Sequence, residues 1–424
     1  MQALISLYRN AYSGLGRDIW MLGLVAFINR AGTMVLPFLT LYYTLQAGFS
    51  EAQAGFLLLV YGSGSFVGSY IGGRLCASLG NIPMLMVSLL TSGLAFGAFP
   101  FVHGYLPMMV ASFVIGFCSD SFRPAILSAF SEYANEGTEA RAFGFLRMAL
   151  HSGMAFGPAI GGLLAARDYR FIFWGDGLTC FLAGLAVPFL FSLKASAQKH
   201  AAAKADRQNY PDAEPLRDLP YMLFMVLVLG LAVIIFQFMA TYPLYLNQHY
   251  QLSEAKIGLL VGFNAVILVT LEMVVVHRLE HHNPLKIFGP GVFLTALGFA
   301  VLPFGATFGF ALVAMGIFSI GEMLALPFSN TLVALRAGPN SGPYMGIYSA
   351  MFSLAVMIAP PVGLWLYFAW GAETFWYFLG AVGALVWIAT WCLDRFTRWD
   401  RPKKKGTDPD SIPAAPLGEP VSEV

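Results

Sequence analysis

Glu322 stands about halfway along an otherwise apolar stretch, with Ser319 one helical turn before it, Pro327 shortly after it and no basic residue within a turn. An ionisable side chain at mid-bilayer costs ~2.5 to 3.5 kcal/mol on insertion scales, so it persists only with a partner, water or a function. Desolvation favours the neutral form of a carboxyl group. Glu322 can therefore exchange a proton or contact a ligand; the bland alternative is a hydrogen bond to a neighbouring helix. Asp120 and Arg123, three residues apart, can meet on one helical face, either as an internal ion pair or as part of a proton path. His151 follows Arg147 by four residues and titrates near neutrality, so it relays protons or sits neutral in a hydrogen bond. Asn29, Arg30 and Thr33 suit the wall of a cavity, unless helix carbonyls or an acid from elsewhere satisfy the arginine. Glu272, a turn or so before the end of its apolar stretch, is a gating candidate, and Asp176 in FIFWGDG reads as a helix-end hydrogen-bond acceptor.

These groups need helices that cross a membrane. Charged residues make up 11% of the 424 and hydrophobic residues 58%, with 37 Phe and 44 Gly, against about 25% and ~45–50% in soluble chains. Too little charge is present to cover a water-facing surface, and a net charge of +1 leaves no nucleic-acid footprint. Windows of roughly 20 apolar residues fit the hydrocarbon thickness. Twelve occur, near 18–44, 52–76, 83–102, 106–131, 140–166, 170–193, 219–247, 254–279, 285–304, 308–335, 343–369 and 373–395. They lack the alternation of lipid-facing strands, which excludes a barrel. Short turns such as GNIP at 80–83 and NPLK at 283–286 make successive helices antiparallel neighbours.

Lysine and arginine then set the sidedness. Eighteen fall on the face that holds both termini, while Arg167, Arg170 and Lys256 fall on the other, and Arg30, Arg123 and Arg147 lie within spans. Both termini are expected in the cytoplasm, in an inner (cytoplasmic) membrane. The expected organisation is a cytoplasmic N-terminal segment (1–17), a first six-helix bundle (18–193), a hydrophilic cytoplasmic linker (194–218), a second six-helix bundle (219–396) and a disordered cytoplasmic tail (397–424). Cys76, Cys118, Cys180 and Cys392 are far apart in apolar stretches and read as small buried hydrophobes. His277, His281 and His282 share a short loop with Arg278 and Glu280, which favours solvation over a metal site, so neither metal nor cofactor is expected.

Gly153, Gly157 and Gly161 recur every four residues and line one helix face, where missing side chains admit another backbone. Pro158 removes a backbone donor beside Gly157 and can bend the helix. The segment GMAFGPAIGG, 153–162, matches at every fixed position the gxxxGPxxGG antiporter motif of exporters in the major facilitator superfamily. With twelve spans and a central linker, the chain from about 18 to 396 resembles such a transporter. The resemblance implies an all-α membrane fold of two six-helix bundles around a central cavity, a monomer, and conformational roles for the three glycines and Pro158. Between spans two and three, GRLCASLGN (73–81) keeps Gly73, Leu75 and Gly80 of the family's GxLaDrxGrr, with Arg74 between the first two. Ala77, Ser78 and Asn81 replace the aspartate, a basic residue and an arginine, which removes the usual charge latch. GEMLALPFSN, 321–330, is similar to the GExxxxP element of proton-dependent oligopeptide transporters. Their ExxER is reduced here to Arg30, with Ala26 and Asn29 at the glutamate positions.

No GxxxxGK[ST], GxSxG or HExxH is present, so neither ATP-driven transport nor enzymatic activity is expected. The leading expectation is a proton-coupled exporter of small amphipathic or hydrophobic compounds that works by alternating access. Its partners are the compound, protons and membrane lipid, and Tyr42, Phe236 and Tyr348 are candidate aromatic lining. Proton-driven uptake of peptides or similar nutrients, with Arg30 pairing a substrate carboxylate, is the alternative. A membrane protein that carries no substrate is a third reading.

Overall fold

The computed structural model describes residues 9–135, 137–154, 156–165, 167–207, 214–239, 241–397 and 399. Most of the expected tail, residues 1–8 of the N-terminal segment and residues 208–213 of the linker lie outside the described residues. The protein is an all-helical membrane protein of two six-helix bundles. In the first, span 2 is Glu51–Leu79, span 3 Asn81–Ala98 and span 6 Arg170–Leu190. In the second, spans 7 to 12 are Leu219–Phe236, Glu254–Leu279, Pro284–Ala300, Phe308–Ala337, Ser341–Trp370 and Ala372–Phe396. Span 4 bends at Ser121, between Tyr105–Asp120 and Phe122–Tyr133.

Spans 1 and 5 are broken. Ten helices among the described residues are long and apolar enough to cross a membrane, and neither of these two is among them. Span 1 runs as Arg17–Ala31, leaves the helix, and resumes through Leu36–Phe38, Leu39–Leu41 and the wide turn Tyr42–Gln46. The break exposes backbone amides that a membrane interior cannot solvate. Asp176 of span 6 satisfies two of them, accepting from the Met34 and Val35 N–H groups at 3.2 and 3.3 Å. Span 5 is divided between Glu139–Met154 and Gly157–Ala165 within the glycine motif. Its small residues lie on the broken stretch of span 1. A Cβ at Gly153 would stand 2.6 Å from the Phe27 carbonyl oxygen, and one at Gly157 2.5 Å from that of Thr33. Only glycine permits these approaches.

The two bundles repeat one pattern. Spans 1 and 5, 2 and 4, and 3 and 6 pack together in the first; 7 and 11, 8 and 10, and 9 and 12 do so in the second. Between bundles, span 2 meets span 11 and span 5 meets span 8. The face that carries the 190–219 connection, with its helix Leu193–Arg207, is termed the linker face. There Gly73 lies against Gly346 and Gly342, and Arg141 binds Glu280 at 2.5 Å. The Ser69 and Ser353 hydroxyls are 3.2 Å apart. Toward the far face, by contrast, a Cβ at Gly55, Gly258 or Gly262 would meet nothing within 4 Å. The bundles are thus drawn together at the linker face.

Span 7 is fixed by Asp218, which caps it by accepting from the Tyr221 N–H at 3.3 Å. Asp218 also takes two hydrogen bonds of 2.8 Å from Arg336 and one of 3.0 Å from the Tyr344 hydroxyl. Burial alone would push its carboxyl up; the Arg336 guanidinium instead holds it below the usual carboxylate range.

Candidate coupling site between the bundles

Span 5 carries Arg147 inward from the first bundle, and span 8 and span 10 bring Glu272 and Glu322 from the second. The three converge. Arg147 Nε donates to Glu272 Oε1 at 2.5 Å and its Nη2 to Glu322 Oε1 at 3.2 Å. Glu272 is fully buried and Glu322 and Arg147 are nearly so, at 0%, 6% and 8% exposure. Bulk water therefore screens this cluster little. The other Glu322 oxygen accepts from Asn264 Nδ2 at 3.2 Å, and the same amide reaches Ser319 Oγ at 2.9 Å. Glu272 Oε2 has no hydrogen-bond partner among the described residues. One guanidinium thus spans the interface and faces two carboxylates, so the cluster carries a surplus negative charge unless one of them holds a proton.

Glu322 has no basic neighbour along its own helix; the partner comes from the other bundle, 175 positions away in sequence. Asn264 carried no signal of its own in the sequence, being one polar residue in an apolar run. His151 is half-buried one turn beyond Arg147 on the same helix. Asp120 and Arg123 face each other across the bend in span 4 at 3.8 Å.

A second polar region lies in the first bundle beside span 11. A cavity of about 100 Å³ is lined by Asn29, Arg30 and Thr33 of span 1 and by Tyr61 and Ser65 of span 2. Asp120, Arg123, Asp176 and Val356 also line it. The Asn29 amide points to Cys180 Sγ at 3.6 Å, and Thr33 Oγ1 bonds back to the Asn29 carbonyl at 3.4 Å.

The other sequence candidates are dispersed. Tyr42 is buried in an aromatic cluster with Phe173 at 4.7 Å and Phe99 at 5.9 Å between ring centres. Phe236 ends the first helical segment of span 7, half-buried, and the Tyr348 hydroxyl pairs with Ser329 Oγ at 2.8 Å. Gly161 abuts Met34 and Phe38 of span 1, and Pro158 lies in the first turn of the segment that begins at Gly157. Arg74 lies over the Tyr70 ring at 4.9 Å, and Gly80 turns the chain between spans 2 and 3 with φ of 93°.

Residues 19–343 match the profile of the Major Facilitator Superfamily. The chain is 24% identical over 379 residues to a Na(+), Li(+), K(+)/H(+) antiporter of Planococcus maritimus, covering 81% of this chain and 88% of the relative. It is also 24% identical over 380 residues to the multidrug resistance protein MdtH of Klebsiella pneumoniae (strain 342), covering 84% and 89%. Among solved structures, the human organic anion transporter MFSD10 (TETRAN) superposes with a TM-score of 0.69 at 13% identity, covering 88% of this chain and 99% of that one. That likeness establishes the shared fold.

Proposed function

The chain belongs to the major facilitator superfamily of secondary transporters, and from that premise we propose that it exports small amphipathic or hydrophobic compounds in exchange for protons. The reading rests chiefly on the Arg147–Glu272–Glu322 cluster, because its hydrogen bonds join the two bundles directly. The names of the antiporter and multidrug relatives support exchange and export respectively. We place the linker face in the cytoplasm on the basis of its surplus of lysine and arginine.

In the cycle we propose, the bundles begin joined at the cytoplasmic face with Arg147 shared between both carboxylates. A proton entering from the far face neutralises Glu322 and removes one of the two ionic ties. The cytoplasmic face then opens, Glu322 releases its proton there, and the cavity accepts substrate. Once ionised, Glu322 attracts Arg147 again and draws the bundles back. Charge state selects conformation because the ion pair exists in one state only.

Glu322→Gln removes the exchangeable proton but keeps the hydrogen-bonding shape. Gradient-driven efflux of a fluorescent amphipathic dye from proteoliposomes is expected to fall about a hundredfold, the low end for loss of a proton-transferring group. Thermal unfolding of the variant should stay close to wild type. Full gradient-driven transport by the variant would refute the proposal.

A further inference from the structure

Arg30 lines the cavity of the first bundle, yet its guanidinium makes no hydrogen bond or ion pair among the described residues. The neighbouring acids are engaged elsewhere. Asp176 spends its oxygens on the Met34 and Val35 amides and on the Cys180 thiol, and Asp120 faces Arg123. Ser119, on the same wall, has a buried hydroxyl oxygen with no partner. A guanidinium offers five N–H donors and no acceptor. The cavity therefore lacks an acceptor, and leaving buried donors unmet is costly. Its volume of about 100 Å³ equals the liquid share of roughly three water molecules. That suits a carboxylate-sized head, while Val356 on span 11 marks where an apolar body would continue between the bundles.

We infer that Arg30 and Ser119 form a binding site for the anionic head group of the transported compound, so that the substrates are amphipathic organic carboxylates. The inference takes its place in transport from the function proposed above, but the binding itself does not depend on that function.

The test compares 1-naphthoate with 1-naphthamide, which share a ring system and differ in charge. Binding of each to the full chain in nanodiscs is measured by titration calorimetry. Naphthoate is expected to bind at least about tenfold more tightly, the yield of a charge-assisted hydrogen bond. Arg30→Gln should abolish that preference and leave naphthamide binding unchanged, and Ser119→Ala should weaken naphthoate about threefold. Equal affinities for the two probes in the wild-type chain, or an undiminished preference in Arg30→Gln, would overturn the inference. The two readings fail separately. Naphthoate preference without proton-driven transport sinks the export proposal alone, whereas proton-driven transport without naphthoate preference sinks the anion site alone.

Discussion

Replacing Arg147 with methionine is expected to cost about 3 to 5 kcal/mol of unfolding stability, because it leaves two buried carboxylates without their cation. Glu272 is fully buried and bonded through one oxygen to Arg147 alone, so it has no other partner to fall back on. The loss is readable as a shift in the denaturant titration of the purified protein. The same substitution made together with Glu272→Gln and Glu322→Gln removes the orphaned charge and should recover most of that stability. It should not recover transport, because the tie between bundles is gone. If Arg147→Met unfolds like wild type, the three groups do not form one buried electrostatic unit.

The second large effect concerns two adjacent glycines of span 2 that meet different partners. A Cβ at Gly72 would stand 3.0 Å from the Ser121 Cα, inside the first bundle, whereas one at Gly73 would run into Gly346 of the second. Gly72→Leu therefore overpacks a bundle interior and is expected to lower stability by about 1 to 3 kcal/mol. Gly73→Leu acts as a wedge between bundles that must come together. Its stability should change little, while transport should fall at least about tenfold, the result of disfavouring one state by some 1.4 kcal/mol. Matched losses of stability in the two variants would show that the span 2–span 11 contact is static packing and not a closing surface.

The span pattern was legible because hydrocarbon thickness imposes its own length scale on the sequence, and the glycine seam of span 5 was legible because a four-residue spacing has a single meaning on a helix. Glu322, Glu272 and Arg147 were each visible as charges where charge is expensive. Their union was not, because 125 and 175 positions separate Arg147 from its two partners and no local pattern encodes which faces turn toward each other. The window 18–44 read as one span, and its break at Gly32–Val35 was hidden because the compensation comes from Asp176 on another helix. Asp176 itself was readable as a helix-end acceptor, though not which helix it serves. Tyr42 shows the limit for aromatics, since composition does not tell a cavity wall from a ring packed against Phe173.

The switch itself is tested most directly by a distance across the linker face. Spin labels at Asn135, after span 4, and His282, after span 8, sit on exposed positions of opposite bundles. Their separation is to be recorded by pulsed electron resonance at about pH 5 and about pH 8, on either side of neutrality, in wild type and in Glu322→Gln. The wild-type population should shift toward the longer distance at the lower pH, and the variant should show the longer distance at both. A wild-type distribution that ignores pH, or a variant that responds to pH as the wild type does, would contradict the claim that protonation of Glu322 releases the bundles.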